Sequence, residues 1–181
     1  MSKNKYVALL RGVNVGGKAK VSMSELKSAM TIAGFSDVAS YINSGNLIFT
    51  SEKSDTLKLS KEIQNIIHSY FKLDVDVVVI SRNEWIDIAK SAPDLWGHDT
   101  SRKHNLIILL KPYDIDEVMA AIGVLKDDIE SAEPGIGVVY QSLSLKDFGK
   151  TTSGKLASNP IYKRMTIRNY NTTIKLLTLL D

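Results

Sequence analysis

The sequence predicts an α+β fold made of two successive units, and three observations predict it. Residues 1–81 alternate strand-like and helix-like periods in the order β-α-β-β-α-β, residues 82–181 begin a second β-α-β-β run, and two strands of the first unit are apolar on both faces. The first order is that of the ferredoxin-like split βαβ arrangement.

Lys5 to Val13 reads as the first strand and Asn14 to Val21 as a glycine-containing loop. Ser22 with Glu25 forms a capping-box signature, opening a helix that stops at Gly34. Val38 to Asn43 and Leu47 to Thr50 are short strands around a tight turn at Ser44, Gly45 and Asn46. Leu59, Ile63, Ile66, Ile67 and Tyr70 recur at helical spacing in a helix from Ser54 to Phe71, and Val75 to Ile80 closes the unit as a strand.

In the second unit, Ser81 with Glu84 caps a connecting helix to Ser91, and a polar loop from Pro93 to Lys103 holds Trp96. A strand from His104 to Leu110, a helix from Asp114 to Ile122 and strands at Asp128–Glu133 and Gly137–Ser142 follow. Thr166 to Leu180 reads as a last helix, with Ile167, Tyr170, Ile174 and Leu177 on one stripe. The second unit is therefore expected to be a related but incomplete βαββ-helix.

A ferredoxin-like sheet carries helices on one face, so a solvated opposite face would make its strands alternate. Tyr6 to Leu10 and Val77 to Ile80 do not alternate, so the open face is expected to be covered, with the second unit as its cover. That counts against an RNA-recognition module, which reads bases on that face; its consensus is also missing.

Composition narrows the classes of function. The 181 residues are 44% hydrophobic and 24% charged, the balance of a chain with a real core. With 0 cysteines there is no disulfide framework or thiolate site, which suits a reducing cytoplasm. The longest apolar runs fall far short of the ~18 residues that a membrane helix requires, and no signal-peptide core is evident, so no membrane partner is expected.

Net charge is +3 but unevenly placed: residues 1–20 carry +5, residues 146–175 carry +6, and residues 21–145 carry −7. If the fold joins the two ends, the patch would attract phosphates, carboxylates or nucleic acid.

Gly12 to Lys18 fits the letters GxxxxGK, the start of a nucleotide-binding P-loop. Its mechanics do not follow. Ala19 stands where Ser or Thr would hold magnesium, the helix cap lies at Ser22 instead of at the lysine, and the strand order is mostly antiparallel. A generic alternative survives, in which glycines turn N–H groups toward an anion while Lys18 and Lys20 add charge. The split βαβ order makes this loop a neighbour of the Asn43–Asn46 turn, because the first two strands are parallel. Lys163, Arg164 and Arg168 at the start of the last helix oppose its dipole, which a bound anion would reverse. A second basic stretch spans Lys150, Ser153, Gly154 and Lys155.

His68 falls on the polar side of its helix, His98 in the Trp96 loop and His104 at a strand start. No metal-binding spacing and no catalytic pair can be assigned, and neither metal nor cofactor is expected.

At LRGVNVGGKAKV, YINSGNLIF and TIRNYNT the sequence resembles the family catalogued as domain of unknown function 1697. The resemblance implies a bacterial, intracellular α+β protein of two ferredoxin-like parts and implies no reaction. Its motif positions are Arg11, Asn14, Gly16, Gly17 and Lys18 in the loop, Asn43, Ser44, Gly45 and Asn46 in the turn, and Arg168 and Asn169 at the last helix.

The expected architecture is thus a ferredoxin-like subdomain, 1–81, followed by a second α+β subdomain, 82–181. The expected ligand site joins Arg11, Asn14, Gly16, Gly17, Lys18, Lys20, Asn43, Ser44, Asn46, Arg168 and Asn169 around a phosphate-bearing small molecule or nucleic acid. Two alternatives stay open: an enzyme for a small phosphorylated or carboxylated substrate, and a protein-interaction module in which the motifs are structural.

Overall fold

The computed structural model describes residues 3–16, 19–112 and 114–181, Ser153 by its backbone alone. It is a mixed α+β protein with two four-stranded antiparallel sheets and six α-helices among the described residues. The chain divides into two compact units, Met1–Ile86 with Leu176–Asp181, and Asp87–Lys175.

The first unit runs β1 (Asn4–Leu10), α1 (Met23–Ile32), β2 (Ser36–Tyr41), β3 (Asn46–Ser51), α2 (Thr56–Phe71) and β4 (Val77–Ser81), in sheet order β2-β3-β1-β4. Local chemistry sets the helix starts: the Ser22 hydroxyl accepts from Glu25 N, and Asp55 accepts from Leu57 N and Lys58 N. Tyr6, Ala8, Leu10, Leu47, Phe49, Val77 and Val79 face Leu26, Met30, Leu59, Ile63 and Ile67 of the two helices. The alternate residues Val7, Leu9, Ile48, Val78 and Ile80 are buried as well, so both parities are covered, as the missing alternation requires.

The first strand ends at Leu10 and not Val13, because the chain turns at Gly12 (φ 68°) and Asn14 (φ 55°). Asn46 is no turn residue either. It opens β3 opposite both Tyr41 and Leu9, fully buried.

α3 (Arg82–Lys90) starts with the expected capping box: Ser81 N and Oγ donate to Glu84 Oε2, and Glu84 N donates to Ser81 Oγ. The second unit then runs β5 (Arg102–Leu109), α4 (Ile115–Ile122), β6 (Glu130–Gly135), β7 (Val138–Ser144), α5 (Ser153–Ser158) and β8 (Met165–Asn169), in sheet order β6-β7-β5-β8. Two expectations are corrected here. The second unit is not an incomplete βαββ-helix, since α5 and β8 complete a βαββαβ series with the same strand order as the first. And Thr166 caps no helix: residues 165–169 pair antiparallel with β5, and α6 spans Tyr170–Leu180.

The core of this unit lies on one sheet face, where Ile107, Leu109, Ala132, Val139 and Met165 meet Val118, Ile122 and Leu156. Because side chains alternate along a strand, His104, Ser131, Glu133, Tyr140, Ser142 and Arg168 belong to the other face.

Candidate functional site

The loop and turn motifs of the first unit do meet. Asn14 Nδ2 donates to Asn43 O (2.7 Å) and Val21 O (2.9 Å), while its Oδ1 accepts from Val21 N (2.9 Å). Leu10 N donates to Gly45 O at 2.8 Å, and Asn46 Nδ2 donates to Tyr41 O and Ser44 Oγ. The side chains of Asn14, Ser44 and Asn46, which look like ligand donors in the sequence, are thus engaged in the structure of the loop and the turn. Arg11 is half-buried, with its N–H on Asp76 O, and Gly16 and Lys20 are exposed; Gly17 and Lys18 lie outside the described residues.

Arg168 and Asn169 belong to the second unit. Arg168 lies on β8, not in a first helical turn, and is buried, its Nη1 donating to Thr166 Oγ1 and Ile167 O. Burial brings its guanidinium down to about 10, which leaves it charged at neutral pH. Asn169 is the residue that caps α6, accepting from Thr172 N at 2.8 Å. Arg168 is therefore a buried, internally bonded cation instead of an exposed anion receptor.

A different region has the shape of a site. On the non-core face of the second sheet, a cleft of about 460 Å³ falls within the usual range for small-molecule pockets, about 300–1,000 Å³. Pro93, Leu95, Trp96 and Tyr140 supply its apolar lining; Asp99, Asp127 and Glu133 bring three carboxylates against the one guanidinium of Arg102. His104, Ser131 and Ser142 complete it.

Trp96 is held edge-on by two rings, Tyr140 (5.4 Å, 74°) and Tyr170 (5.1 Å, 79°). Its indole N–H is buried without a hydrogen-bond partner among the described residues. Tyr140 donates to Ile88 O at 2.6 Å, and burial pushes its phenol up to about 12. The Ser101 hydroxyl and then its backbone N–H hold the Asp99 carboxyl below the usual carboxylate range, with Arg102 assisting. Arg102 also donates to Asp128 O at 2.9 Å.

His104 and Ser142 stand directly opposite each other on β5 and β7, Nδ1 to Oγ 2.7 Å, with His104 Nε2 2.8 Å from Asp99 O. Sequence reading found no such pair because 38 residues separate them. The one available signal was parity: His104, Leu106 and Ile108 share a face, as do Ser142 and Tyr140, but nothing local says which strands are neighbours.

His68 is solvated and paired with Asp74 at 2.9 Å. Among the described residues no group of three or more His, Asp or Glu is arranged to hold a metal ion, and no helix is long and apolar enough to cross a membrane.

The comparisons agree with this architecture and assign no activity. A solved structure of a conserved bacterial protein, SP0830 from Streptococcus pneumoniae, is similar over 99% of this chain and 100% of that one, with 30% identity and a TM-score of 0.88. None of the curated proteins matches. A family model described as "Protein of unknown function (DUF1697)" matches residues 3–140. The chain belongs to the DUF1697 family.

Proposed function

We propose that the chain is a small-molecule binding protein, whose second unit takes a ligand with a cationic nitrogen beside a flat apolar part. The observation that carries this is the make-up of the cleft: aromatic walls from Trp96 and Tyr140 with three carboxylates against one guanidinium, itself engaged by Asp128 O and Asp99. An acid-rich cleft raises the local concentration of cations. A cation over an aromatic face gains about 0.5–2 kcal/mol, the more when desolvated.

Benzyltrimethylammonium titrated into the full chain is expected to raise its melting temperature and change its tryptophan fluorescence. Trp96→Phe should abolish the fluorescence change, leaving Trp85 as a silent reporter. Benzoate, with the same ring and the opposite charge, should have no effect; equal binding of benzoate would refute the proposal.

For the first unit, a specific feature favours a phosphate-bearing ligand, nucleotide or nucleic acid segment, against the glycine loop. A Cβ placed on Gly12 or Gly16 meets nothing within 4 Å, so the backbone there is open to approach. Lys20→Ala should then weaken single-stranded nucleic acid binding and lower its salt slope by about one. No binding at low salt would exclude this ligand class.

The shared strand order supports a ferredoxin-like assignment for each unit and descent from a duplicated one. The lack of cysteine supports a cytoplasmic setting.

A further inference from the structure

We propose that Ser142 is an acyl-accepting nucleophile with His104 as its general base, so that the cleft hydrolyses small esters carrying a cationic nitrogen; the substrate class rests on the cleft proposed above. The inference starts from hydrogen-bond polarity. A backbone carbonyl only accepts, so the 2.8 Å contact between His104 Nε2 and Asp99 O requires that Nε2 carry the hydrogen. In the neutral ring Nδ1 is then a bare acceptor, and the Ser142 hydroxyl, 2.7 Å away, is the group that donates to it.

A hydroxyl bonded to an imidazole nitrogen, with the other ring nitrogen fixed by a third group, is the arrangement that activates a serine. Here the orienting group is the backbone carbonyl of Asp99. The pair is mostly buried, at 7% exposure for each residue, yet both line the cleft, which separates them from serines open to bulk water. Strand pairing holds the geometry, since the two residues are direct partners on neighbouring strands. Trp96, which lines the same cleft, has a buried indole N–H with no acceptor among the described residues.

In the acylation step Ser142 Oγ bonds to the ester carbonyl carbon, its proton passes to His104 Nδ1, and the carbonyl π pair moves to oxygen. Collapse breaks the bond to the alcohol oxygen, which leaves with the proton from Nδ1. Water then attacks the acyl group, giving its proton to Nδ1. As the acyl bond breaks, that proton returns to Ser142 Oγ, and the net change is ester plus water to acid plus alcohol.

p-Nitrophenyl acetate is the first substrate to test on the full chain. Acetylation of Ser142 by peptide mass mapping, with nitrophenolate release, is expected. Ser142→Ala should abolish that adduct. His104→Gln keeps an acceptor for Ser142 and a donor for Asp99 O but cannot take a proton, so acylation should slow about 100-fold or more. A pair that only fastens β5 to β7 would give a folded wild-type chain with no adduct at Ser142, and that result overturns the proposal. An unchanged rate in folded His104→Gln would overturn the role of His104. Benzyltrimethylammonium separates the two inferences: binding without acetylation removes the nucleophile alone, whereas acetylation that it does not slow removes the cationic ligand and keeps the nucleophile.

Discussion

Asn14→Ala is expected to destabilise the first unit by about 3 kcal/mol, because it removes three hydrogen bonds worth roughly 1 kcal/mol each and leaves alanine at a left-handed φ that costs roughly 1 more, partly offset by solvation of the freed groups. One side chain joins the loop to itself through Val21 N and O and to the neighbouring turn through Asn43 O. Asn14→Gly should recover about 1 kcal/mol by tolerating the φ of 55° without restoring the bonds. Asn14→Asp should be as damaging as alanine, since it keeps the acceptor for Val21 N but sets a carboxylate against two carbonyl oxygens. Urea unfolding followed by Trp85 fluorescence in a Trp96→Phe background reads the first unit. A loss below about 0.5 kcal/mol, the size of an ordinary surface substitution, would show that the asparagine is not what holds the loop.

Gly97→Ala is expected to cost about 3 kcal/mol and to abolish the cleft's response to benzyltrimethylammonium. Gly97 has φ 91°, which alanine adopts only under strain, and an added Cβ would enter the Tyr170 ring at Cε2, Cδ2 and Cζ. The ring cannot yield freely, because it packs edge-on against Trp96 and lies 6.5 Å from His104. Displacing it therefore disturbs the cleft wall as well as the fold. In a Tyr170→Leu background the same substitution should be milder, since the clash is relieved and only the backbone strain remains. A double-mutant cycle on chemical denaturation measures the difference. Additive losses would mean that Tyr170 and Gly97 do not share the strain.

The two cases show which features a sequence exposes. The Ser22 cap that accepts from Glu25 N and the Asp114 cap lie within one turn of chain and are found as read, and the stripe of α2 buries Leu59, Ile63 and Ile67 while Tyr70 stays exposed. The neighbourhood of the Asn14 loop and the Asn43 turn followed from topology, yet the side chains of Asn14 and Asn46 act as internal fasteners. Residue type cannot separate those roles, because a donor that closes a loop and a donor awaiting a ligand look alike until their partners are known.

β8 was missed for a related reason. Ile167, Tyr170, Ile174 and Leu177 fit a helical stripe, and the pairing of Leu109 with Met165 and of Asn105 with Asn169 is a long-range fact that overrides the local period. Arg168 changed meaning with it, from an exposed cation at a helix start to a buried one on a strand.

The amino-acid order by itself determined the α+β class, the succession of elements in the first unit, the caps at Ser22, Ser81 and Asp114, and the requirement that both faces of the first sheet be covered. These rest on periodicity and capping, which act over a few residues. Only the tertiary structure decided that the second unit completes the same series, that Arg168 is buried, and that Trp96, His104, Tyr140 and Ser142 share a cleft. Those outcomes depend on which strands pair, and a hydrogen bond across 38 residues leaves no mark on the local pattern of either strand.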